Sequence, residues 1–212
     1  MSTPVSRHPA NHVPEPVTPI AELMSAFPAP WALCGGWAID AWLGRQTRDH
    51  GDVDFCAWDQ RALFEHLAGW QLVAHHPNVA GDSSELWDGR PVDLPAHIHG
   101  RRDKGEALPE SLVLTAEQGF RLDIQLNERS GDHWVLNGEP RVAIPLRQAV
   151  RPSGWGLPTV VPEVTLFYKA MDLRRRDKLD FAALRPQLTD EQRDWLREAL
   201  SLVGHPWLPQ LA

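Results

Sequence analysis

Short apolar runs alternate with glycine and proline along the first third of the chain, a pattern that predicts short strands and helices in turn. Thr18 and Pro19 are typical of a helix N-cap and first helical residue, and Gly44 is typical of a helix end. Asp59 is a candidate N-cap for a later helix. The predicted elements are a helix over 18–27, a strand over 31–34, a helix over 37–43, a strand over 52–57, a helix over 60–68 and a strand over 71–75.

The middle of the chain has a weaker pattern, which becomes clear again after residue 120. Turn residues are scattered from 77 to 118. From Arg121 to Leu126 polar and apolar residues alternate, which predicts a half-buried strand with Asp123 on the face opposite its three aliphatic residues. The strand candidates of this part are 85–87, 92–98, 121–126 and a hairpin of 134–136 with 141–144.

After residue 158 the pattern becomes helical. A helix that begins at Pro162 carries one apolar stripe, and Lys169 lies off that stripe. The stripe consists of Val164, Phe167, Tyr168 and Met171. A capping box of Thr189 and Gln192 begins the last helix. We therefore expect a disordered, proline-rich tail over 1–17, a main domain over 18–157 and a C-terminal helical subdomain over 158–212.

The composition is typical of a folded soluble protein. The 212 residues suffice for one full core, and 42% of them are hydrophobic and 23% charged. The net charge of −7 argues against binding to a long nucleic acid, which needs a concentrated basic surface. Cys34 and Cys56 do not have zinc-site spacing and are expected to be reduced thiols. No run reaches the ~20 apolar residues that cross a bilayer, and no signal-peptide pattern is present, so we expect a cytoplasmic protein without a membrane partner.

The candidate chemistry lies at a glycine corner followed by paired carboxylates. If residues 52–56 form a strand, Asp52 and Asp54 project from the same face. Two such carboxylates repel each other unless a cation lies between them, and Mg²⁺ prefers carboxylate oxygens together with substrate phosphates. Gly35 and Gly36 just upstream have no Cβ, which lets a phosphate approach the backbone at a helix start.

Together these segments resemble the nucleotidyltransferase superfamily that includes polymerase beta, and within it the antibiotic nucleotidyltransferases of the aminoglycoside and lincosamide type. The resemblance rests on a strand, a Gly-Gly corner, a helix and Asp-x-Asp on the next strand. The matching segments are GWAID (36–40), GRQTR (44–48), HGDVD (50–54), LDIQLNE (122–128) and residues 162–169. The resemblance implies an α+β fold, with a mixed sheet flanked by helices in the nucleotidyltransferase domain (18–157) and a small helical region after it.

The implied activity is transfer of a nucleoside monophosphate, AMP from ATP, to a hydroxyl group with loss of pyrophosphate. Two Mg²⁺ ions would assist the reaction, with Asp52 and Asp54 binding both and a third carboxylate binding one. Asp123 matches the family's third carboxylate and is also a candidate general base. Asp93 is the alternative, because lincosamide-type members have a comparable Leu-Asp-Ile segment closer to Asp-x-Asp. We favour Asp123, since Asp93 lies between prolines.

The resemblance also assigns the nucleotide contacts. Gly35 and Gly36 would meet the triphosphate, and Lys169 matches a lysine that the family uses there, although a solvated helix lysine is the alternative. Arg48 either pairs with Asp40 or reaches a phosphate. Asp177 and Asp180 are expected to cap a helix and form salt bridges, and His50 is expected to be structural.

The acceptor is the least determined partner. A small hydroxylated molecule, with an aminoglycoside-like antibiotic as the leading candidate, would imply a role in antibiotic resistance. An aromatic ring could stack on a tryptophan, and an amino sugar could pair with a glutamate. The candidates are Trp58, Trp87, Trp134, Glu106, Glu110, Glu117 and Glu128. Two alternatives remain open: an antitoxin-like enzyme that modifies a protein or a tRNA end, and a nucleotide-binding regulator without turnover. The oligomeric state is not indicated.

Overall fold

A mixed eight-stranded sheet forms the centre of the protein, with helices against both faces and a small three-stranded sheet at one side. The structure is a computed structural model that describes residues 12–75, 84–102, 120–137 and 139–212. None of the helices in these ranges combines the length and the apolar character needed to span a bilayer.

The first third of the chain folds as its pattern predicts, with several elements slightly shorter and the second helix beginning two residues earlier, at Gly35. Gly44 has a left-handed conformation (φ 65°) and ends the second helix, and the Asp59 side chain accepts a hydrogen bond from the backbone N–H of Ala62. Thr18 is a helical residue and not the N-cap, which is Val17. The elements are α1 (Thr18–Met24), β1 (Trp31–Leu33), α2 (Gly35–Leu43), β2 (Asp54–Ala57), α3 (Gln60–His66), β3 (Gln71–His75) and β4 (Ser84–Leu86).

In the middle of the chain the predicted hairpin and the alternating strand are both present. The strand predicted over 92–98 begins only at Ala96. The elements are β5 (Ala96–Arg102), β6 (Phe120–Leu126), β7 (Arg129–Ser130), β8 (His133–Val135) and β9 (Ala143–Pro145). Strands β7, β8 and β9 form the three-stranded sheet.

The last part of the chain is mainly helical, but it also contributes two strands to the large sheet. Strand β11 pairs in parallel with β1 and antiparallel with β10. The elements are α4 (Leu146–Ala149), β10 (Val150–Pro152), β11 (Pro158–Val160), α5 (Pro162–Asp172), α6 (Arg175–Leu184) and α7 (Asp190–Ser201), with 3-10 turns at Arg185–Gln187 and Leu208–Gln210. Residues 158–160 thus belong to the sheet, and the domain division at residue 157 remains a prediction.

The order of strands in the large sheet is β10-β11-β1-β2-β6-β5-β3-β4. Strands β2 and β6 are parallel, and their register places Asp54 opposite Asp123. Strand β5 runs antiparallel to β6, and its register places His99 opposite Asp123 and His97 opposite Gln125. The register therefore gathers polar residues from three adjacent strands.

Each face of the sheet packs against its own layer. Phe55, Ile98 and Ile124 belong to a buried cluster with residues of α1 and α3. Because side chains alternate along a strand, Asp54, Asp123 and Gln125 project to the opposite face, where Val164 and Phe167 of α5 belong to a second buried cluster. A cavity of about 420 Å³ lies on this second face.

Candidate active site

Three carboxylates that line this cavity lie close together. Asp54 begins β2, Asp123 lies on β6, and oxygen atoms of both lie within 4.8 Å of each other and of an Asp52 oxygen. The strand predicted over 52–57 begins only at Asp54, so Asp52 reaches this group from the exposed segment before the strand. Asp93 is exposed in the segment before β5 and is not part of the group.

The electrostatics of the three carboxylates favour a bound cation. Burial, followed by the charges of Asp123 and Asp52, raises the pKa of Asp54 to about 7. Burial likewise raises the pKa of Asp123, and its Oδ1 atom is buried without a hydrogen-bond partner. An unpartnered buried acceptor costs free energy, whereas a divalent cation would satisfy it and remove the mutual repulsion. Three carboxylates whose oxygen atoms lie within 4.8 Å of one another are ligands of the kind that Mg²⁺ prefers.

The glycine corner lies directly beside these carboxylates. Gly35 has a left-handed conformation (φ +66°), and a Cβ atom there would meet the Asp54 carboxylate. A Cβ atom on Gly36 would meet the side chains of His50 and Arg48. The N-cap Cys34 makes no side-chain capping bond, and Cys34, Gly35 and Gly36 line the cavity. The start of α2 is therefore available to an anion from the cavity side.

Buried Asp40 holds the segment between α2 and β2 in place. It accepts hydrogen bonds from the backbone N–H and hydroxyl of Thr47, at 3.0 and 2.5 Å, and its Oδ2 lies 2.5 Å from His50 Nε2. The His50 ring packs on Trp37 with ring centroids 4.4 Å apart. His50 is thus a structural residue, as predicted, but the Asp40–Arg48 ion pair was wrongly predicted, because Asp40 is occupied by local partners.

Arg48 and Lys169 instead share buried carboxylates of α6. The Arg48 guanidinium donates to both oxygens of Asp180 at 2.9 and 3.0 Å. Lys169 Nζ lies 2.6 Å from Asp180 and 3.1 Å from Asp177. Although burial alone would raise it, hydrogen bonds from Arg48 and Lys169 hold the pKa of Asp180 below its ordinary value.

Lys169 is only 8% exposed, so the alternative of a solvated helix lysine was wrong. Asp177 caps α6 by accepting a hydrogen bond from the backbone N–H of Arg174 at 3.2 Å, and both Asp177 and Asp180 form salt bridges, as predicted. Lys169 and Arg48 both line the cavity, yet each already neutralises protein carboxylates.

Arg174 and Arg176 are cavity residues that the sequence reasoning missed. They follow Leu173, whose left-handed conformation (φ 44°) turns the chain from α5 into α6. The Arg176 charge partly opposes the rise that burial causes in the pKa of Asp54, and within the described ranges Arg176 forms no ion pair. In the sequence, the run of three arginines at 174–176 before Asp177 is the feature that could have indicated these cavity residues.

Neutral polar and aromatic side chains also line the cavity: His97, Gln125, Asn127, Trp134, Asn137 and Tyr168. Asn137 donates to Asn127 at 3.1 Å, and its backbone N–H donates to the Tyr168 hydroxyl at 3.0 Å. Burial lowers the pKa of His97, which favours its neutral form.

Of the three tryptophans proposed to stack on a ligand, only Trp134 lines the cavity. Trp58 packs edge-on against Trp134, and Trp87 packs against Phe64 in the other buried cluster. Glu128 is exposed and does not line the cavity. Glu106, Glu110 and Glu117 lie outside the described residues.

This arrangement of sheet, glycine corner and carboxylates defines a nucleotidyltransferase fold, and the comparisons agree. The crystal structure of the lincosamide antibiotic adenylyltransferase LnuA, lincomycin-bound, is similar with a TM-score of 0.50 and 19% identity, covering 82% of this chain and 98% of that one. The solution structure of the antibiotic-resistance factor ANT(2'')-Ia is similar with a TM-score of 0.51 and 16% identity, covering 87% and 89%.

At the level of sequence, residues 17–68 match the family model described as aminoglycoside-2''-adenylyltransferase, which is about a quarter of the chain. No curated protein sequence matches the chain. The resemblance and the fold class predicted from the sequence are therefore confirmed, and so is the protein class, a nucleotidyltransferase.

Proposed function

We propose that this protein is a metal-dependent nucleotidyltransferase that transfers AMP from ATP to a hydroxyl group of a small antibiotic-like molecule. The observation that carries the proposal is the group of Asp52, Asp54 and Asp123, whose oxygen atoms lie within 4.8 Å of one another beside the Gly35-Gly36 corner. Three carboxylates are a complete set of ligands for metal-assisted phosphoryl transfer, whereas nucleotide binding alone would not need all three. Since nucleoside triphosphates supply the donor, we place the reaction in the cytoplasm.

Asp52 and Asp54 would hold two Mg²⁺ ions, and Asp123 would hold the one nearer the acceptor. When bound, these ions supply Lewis-acid stabilisation of charge on the attacking and leaving oxygens. The Asp123 carboxylate is also placed to accept the proton of the acceptor hydroxyl.

The triphosphate would lie between α2 and the start of α6. Gly35 and Gly36 allow close approach of phosphate to the backbone at the beginning of α2. Arg176 supplies positive charge from the other side, since it lines the cavity and acts on Asp54 without an ion-pair partner in the described part of the chain. Lys169 and Arg48 would mainly fix Asp177 and Asp180, and would add charge to the same side.

The structural neighbours support a small antibiotic as the acceptor. One neighbour is a lincosamide adenylyltransferase with lincomycin bound, and another is an antibiotic-resistance factor. The family model that matches residues 17–68 is named for adenylylation of aminoglycosides. We therefore keep a small hydroxylated antibiotic as the acceptor in preference to a protein or a tRNA end.

Incubation of the purified chain with Mg²⁺, ATP and an antibiotic panel tests the function. We expect release of pyrophosphate and a product heavier by one AMP with at least one acceptor. Release should stop on chelation of the metal and resume when Mg²⁺ is restored. Tight binding of Mg²⁺ and ATP without turnover for any acceptor or nucleotide would show that the protein is a nucleotide-binding regulator instead.

Arg176→Ala should weaken ATP binding by about tenfold to a hundredfold, because a charge-assisted contact to phosphate is worth ~1.5–3 kcal/mol. Arg175→Ala is the matched control, since Arg175 is exposed and does not line the cavity. Calorimetric titration with Mg²⁺ and a non-hydrolysable ATP analogue measures both. Equal affinities for the two variants would remove Arg176 from the triphosphate site.

A further inference from the structure

Three histidines form a polar face beside Asp123 that the proposed reaction does not use. His97 and His99 lie on β5, and alternation along the strand directs both to the face of the sheet that carries Asp123. His75 on β3 lies opposite His97, and its ring centroid lies 4.3 Å from that of His99. We refer to His75, His97 and His99 as the histidine face.

The histidine face and the glycine corner lie on opposite sides of Asp54 and Asp123 in the sheet. The glycine corner follows β1, on one side of Asp54 and Asp123, whereas β5 and β3 lie on the other side. His99 Nε2 lies 3.8 Å from Asp123 Oδ2, and His97 Nδ1 lies 3.4 Å from the Gln125 amide nitrogen. The histidine face therefore adjoins Asp123 on the side away from the triphosphate corner.

In-line transfer makes this the side on which the acceptor must bind. The acceptor oxygen attacks the α-phosphorus from the side opposite the departing pyrophosphate. A new O–P bond forms, the bond from phosphorus to the pyrophosphate oxygen breaks, and the hydroxyl proton passes to Asp123. If the pyrophosphate leaves toward the glycine corner, the acceptor approaches over β6 and β5.

The chemistry of the histidine face suits a neutral acceptor. A neutral imidazole offers one hydrogen-bond donor and one acceptor, which matches sugar hydroxyl groups. Recognition of a polyamine would require additional carboxylates, since an ammonium group only donates hydrogen bonds. Among the described residues of β3, β5 and β6 that project to this face, Asp123 is the only carboxylate.

We propose that the histidine face is the acceptor site and that it selects a neutral, hydroxylated sugar-like molecule over a polyamine. The inference rests on the proposed nucleotidyl transfer and deepens it by naming the acceptor class. His97 is the central residue of this selection, because it lines the cavity and lies opposite Gln125.

Two probes distinguish the acceptor classes: lincomycin, a sugar with a single amine, and the polyamine tobramycin. Pyrophosphate release is measured for both at mildly alkaline pH, where the lincomycin amine is largely uncharged. We expect a higher kcat/KM for lincomycin. His97→Ala should raise KM for lincomycin about tenfold and leave KM for ATP unchanged, as expected for loss of one or two hydrogen bonds. His97→Asp should shift the preference toward tobramycin.

His133→Ala is the control, because His133 lies on β8, pairs with Asp132 and does not line the cavity. Preference of the unmodified protein for tobramycin, or an unchanged KM for lincomycin in His97→Ala, would overturn the inference while leaving nucleotidyl transfer intact. Calorimetric binding of lincomycin to the protein loaded with Mg²⁺ and a non-hydrolysable ATP analogue gives a readout that needs no turnover. Binding that His97→Ala weakens, with no transfer, would support the site and contradict the proposed function.

Discussion

Asp54→Asn is expected to abolish nucleotidyl transfer and, at the same time, to stabilise the metal-free protein. The loss of activity should be about a thousandfold or more, because in the proposed site this carboxylate would help to hold both metal ions, whose charge stabilisation is worth several kcal/mol. Asp54 begins β2 and lies opposite Asp123 in the register of the sheet. A steady-state assay of pyrophosphate release measures this effect.

The gain in stability follows from the raised pKa of Asp54. Burial and the nearby carboxylates raise it from 3.8 to about 7 in the folded chain. Between these two pH values the folded state binds more protons than the unfolded state, so stability falls as pH rises and stays low above about pH 7. The full difference corresponds to at most ~4 kcal/mol, and asparagine, which is always neutral, should recover a large part of it.

Urea unfolding in the presence of a chelator, at mildly acidic and mildly alkaline pH, tests this expectation. The unmodified protein should lose stability between the two conditions, and Asp54→Asn should lose much less. Asp52→Asn is the comparison variant, since Asp52 is exposed and its removal should cost activity with a smaller gain in stability. Retained activity in Asp54→Asn would contradict the proposed metal site. So would an Asp54→Asn variant that is less stable than the unmodified protein at alkaline pH.

Lys169→Met should destabilise the fold by ~3 kcal/mol or more, because it leaves two buried carboxylates without their shared cation. Asp177 is fully buried and Asp180 is 2% exposed. Each keeps one arginine partner, Arg174 and Arg48 respectively, which limits the loss. For a chain of this size, ~3 kcal/mol corresponds to a fall in Tm of about 6–12 °C.

Thermal unfolding of Lys169→Met beside Lys178→Met measures the effect. Lys178 is exposed on the neighbouring helix α6, so its replacement by methionine should leave Tm nearly unchanged. If Lys169→Met unfolds like the unmodified protein but no longer binds ATP, Lys169 acts on the triphosphate and its ion pairs contribute little to stability.

The sequence supports the prediction for Asp54 more fully than the prediction for Lys169. Asp54 and Asp123 were assigned from strand alternation and from a family pattern, and the register of β2 and β6 brings them together. Lys169 was assigned from the same family pattern, but its burial and its two aspartate partners were not expected. The partner of Arg48 lies 132 residues away in the chain, so no local pattern could identify it.

The histidine face is a further product of strand pairing. His75 and His99 lie in different strands, and β5 reaches β6 across residues 103–119 of the chain. In the sequence His75 and His97 lie in separate strand candidates, 71–75 and 92–98, and no local pattern indicates that they meet. Only the antiparallel register of β3, β5 and β6 places them beside Asp123.

The sequence by itself determined the features that depend on neighbouring residues. Among them are the end of α2 at Gly44, the N-cap of α3 at Asp59 and the capping box at Thr189. The alternation along β6 and the glycine corner before Asp52-x-Asp54 are two more. These follow from backbone conformation and hydrogen bonds within a few residues. The tertiary structure alone decided which charges are neutralised inside the protein and which face the cavity. That difference depends on burial and on partners from distant strands and helices, since a charge is removed from water only when the whole fold closes around it.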